Sequence, residues 1–486
     1  MASSRPIYPH PFDGNLASQR IPSKQLKDIA EWARENANLL VGFLRGGDVE
    51  FFYRELGGYR EYVEGLKGTE FEGIEPGVDA VWKMDGVLGE ALRGGLKDAV
   101  STLKTTPNKE RGWPAAKPID PSKQQYRDLL NPYMYPILYN LTTSLENGEF
   151  NLISVRPPYK TGQDRMGCWL PSEFKISENG NCKISSYINN LTLPGQDVLF
   201  HPIFERVFMK MVPLFDHALA DLAGKGWQRK RCGKAVGFTM EGDYYSDDED
   251  GMPGPAEKAW TPPKIVTGRM LRGKTVKVVV RMEEVKLVPQ DPLYRDDSRH
   301  VDGMANERIV ATGVYLYDQE NVTTPSIAFK RRNYNFAQDE FERFPSDGNM
   351  YYTDAAGIAP SRRDVGTTLM KENRAIVFPN LYEQNICPFQ LKDKKKPGFI
   401  KLLYFHLCDP AHETTRKLPT TRTVPPQQPG QFEKILRDTK QLGKLPESAF
   451  QSILGYCIGN VITVEKAKMC ADKMDEKMWA VMERGF

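Results

Sequence analysis

Histidine and cysteine are both scarce, with 6 and 7 copies in 486 residues. The cysteines (168, 182, 232, 387, 408, 457 and 470) never form a CxxC pair, which argues against a structural zinc site and against a disulfide framework. Neither sign of charge dominates. With 66 Lys and Arg against 63 Asp and Glu the formal charge is +3, too small a field to gather nucleic acid or an anionic membrane. No apolar run approaches the roughly 20 residues of a membrane span, and the opening Met1-Ala2-Ser3-Ser4-Arg5-Pro6 lacks the apolar segment of a secretory signal. These absences predict a cytoplasmic protein with no membrane insertion and no nucleic-acid partner. They also take the weight from the sequons at Asn140, Asn190 and Asn321.

What is present is an ordinary globular composition, 40% hydrophobic, in a chain long enough for one elaborated domain or for two or three. Residues 23 to 105 return an apolar side chain every three to four positions, as from Val78-Asp79-Ala80-Val81-Trp82 to Ala99-Val100, and read as helical. After a Pro-rich break, a second helical stretch is predicted from Gln124 to Leu145, a buttress and not a site. From Trp169 the texture turns to strand. Phe174-Lys175-Ile176 and Lys183 to Ile188 flank Glu178-Asn179-Gly180-Asn181, a hairpin turn, and an amphipathic helix follows over 199–223 with Phe204, Val207, Phe208 and Met211 on one face. The basic run at 225–234 and the acidic, Gly/Pro-rich loop near 241–263 read as a disordered insertion.

Strands return from 264 to 410: Thr275 to Arg281, Arg308 to Tyr317, Ser326 to Phe329, Arg374 to Phe378 and Phe399 to Cys408. So many in one block favour a barrel or jelly roll. A Pro-rich connector at 419–429 leads to a helical pair at about 444–484, and there is no internal repeat. The division this suggests is an N-terminal helical region (1–164) packed on the core, a strand core (165–425), and C-terminal helices (426–486).

One short constellation points to chemistry. In Arg299-His300-Val301-Asp302-Gly303 an imidazole and a carboxylate two residues apart on a strand edge share a side, and so can share one face of a ferrous ion. H-x-D alone is a weak signal. Around it stand Cys168-Trp169-Leu170-Pro171, Ile184 to Leu191, His300 to Glu307, Phe378-Pro379-Asn380 and Val424-Pro425-Pro426-Gln427-Gln428, with Asn131 to Pro136, Asp409-Pro410 and Glu465 to Lys468. Over nearly its whole length the chain resembles a fungal domain-of-unknown-function family that is regarded as similar to Fe(II)/2-oxoglutarate dioxygenases. The resemblance implies an α+β fold with a double-stranded β-helix (jelly-roll, cupin-like) core inside N- and C-terminal helical layers.

It also implies where the sequence departs. The proximal ligands fall on His300 and Asp302, the latter a Glu in most of the family. The distal histidine of the family's Pro-Asn-x-x-Gln-His segment falls on Gln384, 82 residues beyond Asp302, and the arginine of its Gly-His-Arg-Lys falls on Ile400. An amide oxygen is a poor substitute for imidazole on Fe(II), and Ile400 cannot pair with a carboxylate. Lys401 could replace the anchor, but alternation along a strand turns it to the opposite face.

The expectation is a site without cofactor, its metal ligands His300 and Asp302 vestigial, in which His300, Asp302 and Gln384 act as hydrogen-bonding or acid–base groups. Trp169, Tyr315, Arg374 and Lys401 are candidates to bind a small hydrophobic substrate. The reaction expected is non-redox, an intramolecular Diels–Alder-type cyclisation or an isomerisation of a terpenoid or polyketide. The alternatives are an Fe(II)- and 2-oxoglutarate-dependent hydroxylase or desaturase, with Lys401 or Arg374 on the oxoacid, and a catalytically dead scaffold for a partner enzyme. Oligomeric state is left open. His406, on a strand that reads as core, is taken as a hydrogen-bonded structural histidine over a substitute ligand; His217, His201, His412 and His10 have no partner at ligand spacing.

Overall fold

The longest strands are the segments richest in β-branched and aromatic residues, and they run side by side through the middle of the molecule. The structure is a computed structural model, and it describes residues 57–78, 80–105, 125–147, 149–154, 166–191, 195–223, 271–296, 298–304, 306–332, 362–410, 417–439, 441–457 and 461–484. In chain order the strands are β1 (Ile74–Pro76), β2 (Trp82–Asp85), β3 (Tyr126–Leu130), β4 (Ile137–Leu138), β5 (Thr143–Glu146), β6 (Glu149–Leu152), β7 (Gly167–Cys168), β8 (Ser172–Ile176), β9 (Cys182–Ile184), β10 (Thr275–Leu287), β11 (Leu293–Tyr294), β12 (Ile309–Glu320), β13 (Ser326–Arg332), β14 (Arg362–Leu369), β15 (Arg374–Pro379), β16 (Tyr382–Ile386), β17 (Phe389–Gln390) and β18 (Gly398–Cys408). Helices are α1 (Glu90–Thr105), α2 (Gln196–Ala223), α3 (Pro429–Asp438), α4 (Glu447–Cys457) and α5 (Val464–Arg484).

The fold is mixed and dominated by antiparallel sheets. One nine-stranded sheet runs β1-β2-β15-β12-β18-β10-β8-β9, with β3 also paired to β10. A small sheet, β14-β13-β16, and the pair β11-β17 lie apart from it in the hydrogen-bond pattern, and an isolated antiparallel bridge joins His300 to Gln384.

The central strands β10, β12 and β18 are buried on both faces, which is why they lack clean polar alternation. One face receives α2. Phe204, Phe208, Met211 and Phe215 pack there with Val278, Val280, Tyr315 and Phe405, and at Gly313 a Cβ would fall 2.3 Å from Met211 Cε and 3.0 Å from Phe215 Cζ, so a larger residue would push these helix side chains aside. The other face carries Val285, Leu287, Val314, Leu316, Ile400, Leu402 and Tyr404, which share a second core with Ile327, Phe329, Tyr382, Ile386 and Phe389 of the small sheets. Each such side chain is worth about 1.5–3 kcal/mol when fully buried. Two layers of strand therefore enclose one apolar core, and α1 and α2 enclose another.

The hairpin β8–β9 forms at the predicted turn, with Gly180 at φ 83°. The amphipathic helix spans Gln196–Ala223, and the predicted strands of 275–408 are all present. The helical expectation for the N-terminal region holds over 57–65 and Glu90–Thr105 and fails elsewhere: residues 74–76 and 82–85, and 126–130, are strands of the large sheet, and 137–146 also contributes strands in place of the helix predicted from Gln124 to Leu145. Apolar pairs such as Leu129-Leu130 fit either period, and pairing with β10 decides the matter. The predicted insertion at 241–263 lies outside the described residues. Among the described residues no helix is long and apolar enough to cross a membrane.

Candidate functional site

The H-x-D segment is held by backbone contacts before any side chain acts. His300 exchanges both main-chain hydrogen bonds with Gln384, N–H to O 3.2 Å one way and 2.8 Å the other. Asn380, just beyond β15, clamps the next turn: its Oδ1 accepts from Asp302 N at 3.0 Å, and its Nδ2 donates to the carbonyls of Asp302 (2.7 Å) and Ile309 (3.2 Å). Each such bond contributes about 1 kcal/mol net. Gly303 then turns the chain at φ +70°, where a Cβ would meet Ile309 Cδ1 at 2.7 Å. Buried Glu307 accepts from Met304 N (2.8 Å) and from Trp169 N (2.6 Å), which brings Trp169 to the same place.

The side chains now converge. His300 Nε2 lies 3.8 Å from Asp302 Oδ1, and the Gln384 amide lies 2.9 Å from that same Nε2. Thr312, on β12, donates to Asp302 Oδ2 at 2.9 Å and lies 3.1 Å from His406 Nδ1; His406 Nδ1 is itself 3.5 Å from Asp302 Oδ2. Because the Thr312 hydrogen is committed to Asp302, the proton between Thr312 and His406 belongs to Nδ1. Burial opposes ionisation of Asp302, but the adjoining His406, then His300 and Arg281, outweigh it and hold the carboxyl well below the usual carboxylate range. Two buried atoms here have no hydrogen-bond partner among the described residues, Asp302 Oδ1 and His406 Nε2. Leaving such a group without a partner costs about 1–3 kcal/mol.

His406 was expected to be structural, and it is indeed fully buried. Sequence reasoning missed its neighbour, although the signal was there: on β18 residues 400, 402, 404 and 406 share one parity, so His406 had to face the side that carries Ile400. The same row continues across the sheet. Tyr404 stacks on His406 (ring centres 5.9 Å apart, 8° between planes) and donates to Glu283 Oε1 at 2.6 Å. Arg281 binds Glu283 Oε2 (2.9 Å) and Tyr126 (2.5 Å) and lies 5.5 Å from the Tyr404 ring centre. Tyr126 in turn lies 2.8 Å from both Asp128 Oδ1 and Glu283 Oε2.

Over this row sits the segment 131–136. Trp169 packs against Tyr133 at 5.1 Å and His406 at 5.4 Å between ring centres. The segment is fixed by the polar sequence motifs: Asn189 and Asn190 donate to carbonyls of Asn131, Met134 and Tyr135, and Gln427 donates to those of Tyr135 and Pro136. Several of the most specific sequence patterns are thus a frame for the rim. Tyr126, Asp128, Tyr133, Arg281 and His300 are half-buried there.

The remaining candidates go elsewhere. Tyr315 faces the α2 side and donates to Asn373 Oδ1 at 2.9 Å. Arg374 is buried in a two-point pair with Asp85 (2.5 and 2.8 Å). Lys401 bonds Asp318, which also meets Lys97 of α1 at 2.7 Å, while Ile400 lies buried in the inter-sheet core. Neither Lys401 nor Ile400 can clasp an oxoacid beside Asp302, and Arg281, the cation that acts on Asp302, is already engaged by Glu283 and Tyr126. Iron fits no better. The nitrogen of His300 that an ion would need is bonded to Gln384, the two imidazoles address opposite oxygens of Asp302, and among the described residues no three His, Cys, Asp or Glu are placed to hold a metal.

Over residues 49–434, most of its length, the chain matches the family described as "Protein of unknown function (DUF4246)", and it belongs to that family. No curated protein matches it. Among solved structures it is similar to an Fe(II)/(alpha)ketoglutarate-dependent dioxygenase, TqaL, at 8% identity and TM-score 0.29, covering 79% of this chain and 96% of that one. A bsmA homolog from Methylobium petroleophilum PM1 gives 9% identity and TM-score 0.25 (72% and 93% covered), and IDO from Bacillus thuringiensis 10% and 0.16 (29% and 48%). Likenesses this weak assign neither fold nor reaction.

Proposed function

We propose that this DUF4246 protein is a non-redox catalyst, an intramolecular cyclase of Diels–Alder type or an isomerase. Its substrate is a hydrophobic terpenoid or polyketide of fungal specialised metabolism, and its site is the repurposed pocket of a double-stranded β-helix. The strand order supports that architecture: β10-β18-β12-β15 lie in one sheet and β16-β13-β14 in another, and the chain crosses between the two after β12, β14, β15 and β16. The observation that carries the reading is the Gln384 amide on His300 Nε2. It supplies a hydrogen bond where an iron enzyme needs an open lone pair.

A site of this kind accelerates ring closure by holding one reactive conformer and by aiming a few fixed hydrogen bonds at the charge that shifts as bonds form. Asp302, ionised and braced by Thr312, orients His406, and His300 is oriented by Gln384. Trp169 and Tyr133 supply flat apolar walls.

The test is turnover of linear terpenoid or polyketide precursors carrying a diene and a dienophile, with chelator present and 2-oxoglutarate absent. Undiminished cyclisation is expected. Loss of turnover with chelator, its return with Fe(II) and 2-oxoglutarate, and release of succinate would establish the hydroxylase or desaturase reading instead.

A further inference from the structure

Counting protons around Tyr126 singles out one residue. Its hydroxyl oxygen accepts from Arg281 and has one hydrogen to give, yet carboxylate oxygens of both Asp128 and Glu283 stand 2.8 Å away. One of the two acids must bring its own proton. Glu283 already accepts from Tyr404 at 2.6 Å and from Arg281 at 2.9 Å, as a carboxylate does. Asp128 accepts only an amide, from Asn131 at 2.9 Å, besides its contact with Tyr126. Burial, outweighing the attraction of Arg281, pushes the Asp128 carboxyl up to about 6, and Glu283 on β10 and Asp475 on α5 push the same way.

We infer that Asp128 is the proton donor of this site, and that the reaction is started by protonation of an alkene carbon and is not purely pericyclic. The inference rests on the non-redox reading above. Asp128 loses its O–H bond, the substrate gains the hydrogen, and the resulting cation closes or rearranges before another carbon gives a proton back. Nothing is oxidised. When Asp128 becomes a carboxylate, Tyr126 turns its hydroxyl from Glu283 to Asp128, while Arg281 keeps Glu283 covered. A single O–H rotation thus stabilises the conjugate base. Of the two buried atoms without hydrogen-bond partners in the same row, next to Tyr404, His406 Nε2 is the acceptor available to the returning proton, while Asp302 Oδ1, on a carboxyl held strongly ionised, accepts only a hydrogen bond from a polar group of the substrate.

Two measurements on the full-length protein decide it. In the first, aspartate carboxyls labelled with carbon-13 are titrated by NMR. Asp216, buried beside Leu271, is also pushed up to about 6, so the diagnostic resonance is the one that vanishes in Asp128→Asn. It should titrate near pH 6 and move upward in Tyr126→Phe, which loses the hydroxyl that favours the anion, and its titration below pH 5 overturns the assignment. In the second, the diene precursor is turned over in D2O. The product should carry one deuterium on carbon, and Asp128→Asn should lower kcat at least about 100-fold with KM unchanged. Unlabelled product and an Asp128→Asn enzyme as fast as the parent overturn the proton donor and leave the cyclase standing. If the parent converts no precursor, the cyclase reading fails, and the titration judges Asp128 by itself.

Discussion

Among the described residues two histidines are wholly buried, and they sit on opposite faces of the same sheet. His217, on α2, is complete: Nδ1 donates to Pro213 O at 2.7 Å, Tyr62 donates to Nε2 at 2.8 Å, and the ring lies 4.6 Å from Trp82 between centres. Burial, against the Pro213 bond, pushes it down to about 4, so it is neutral. His406 is complete on one side only. Its Nδ1 meets Thr312 and Asp302, and its Nε2 meets nothing among the described residues. The difference teaches that burial alone does not make a histidine structural: burial is equal, and what distinguishes the two is whether the second ring nitrogen has a partner among the described residues.

Substitution should break the pair apart. His217→Ala strands Tyr62 and opens a cavity beside Trp82, and should cost about 3–5 kcal/mol in chemical denaturation while turnover per folded molecule stays constant. His406→Gln should do the reverse, lowering kcat about 100-fold or more for under about 2 kcal/mol of stability. Equal losses of stability from both would erase the distinction.

Acid sharpens the contrast. The unfolded chain protonates His217 at its ordinary 6.5 and the folded chain only near 4, so stability is full above about pH 6.5 and falls as pH drops toward 4, by at most about 3 kcal/mol. Asp302, held low, adds its own loss below the unfolded value near 3.8. Denaturation midpoints at pH 7, 5 and 4 should show the first window disappear in His217→Ala and persist in His406→Gln. Thr312→Val, which keeps shape and removes the bridge, should reduce kcat about tenfold at a cost of about 1–2 kcal/mol. The smallest effect on stability, under about 1 kcal/mol, is expected from Gln384→His. That change frees His300 Nε2 and supplies a third donor, and should raise Fe(II) affinity measured by calorimetry; unchanged affinity would show that His300 and Asp302 do not share a face.

Much of this was legible in the chain. The long strands announced themselves through β-branched and aromatic runs, and the resemblance located His300, Asp302 and Gln384 within one cluster. Lys401 was correctly turned away from Ile400 by alternation alone. Tyr126 and Asp128 were not legible, because Gln124 to Leu145 has a period that suits a helix as well as a strand, and only the ladder with β10 puts Asp128 opposite Glu283. Arg374 looked like an approach to the site and proved to be the partner of Asp85, a contact set by the pairing of β15 with β2. Ion pairs between distant segments leave no trace in either segment's own pattern.

Asn380 has a consequence for how the molecule could be remade. Three hydrogen bonds at one asparagine amide, with a glycine turn behind them, hold the His300–Asp302 segment through the main chain of Asp302 and Ile309 alone. The side chains of His300 and Asp302 take no part in that anchorage, so either can be exchanged for another donor without loosening the segment, which makes it a sound starting point for installing new chemistry.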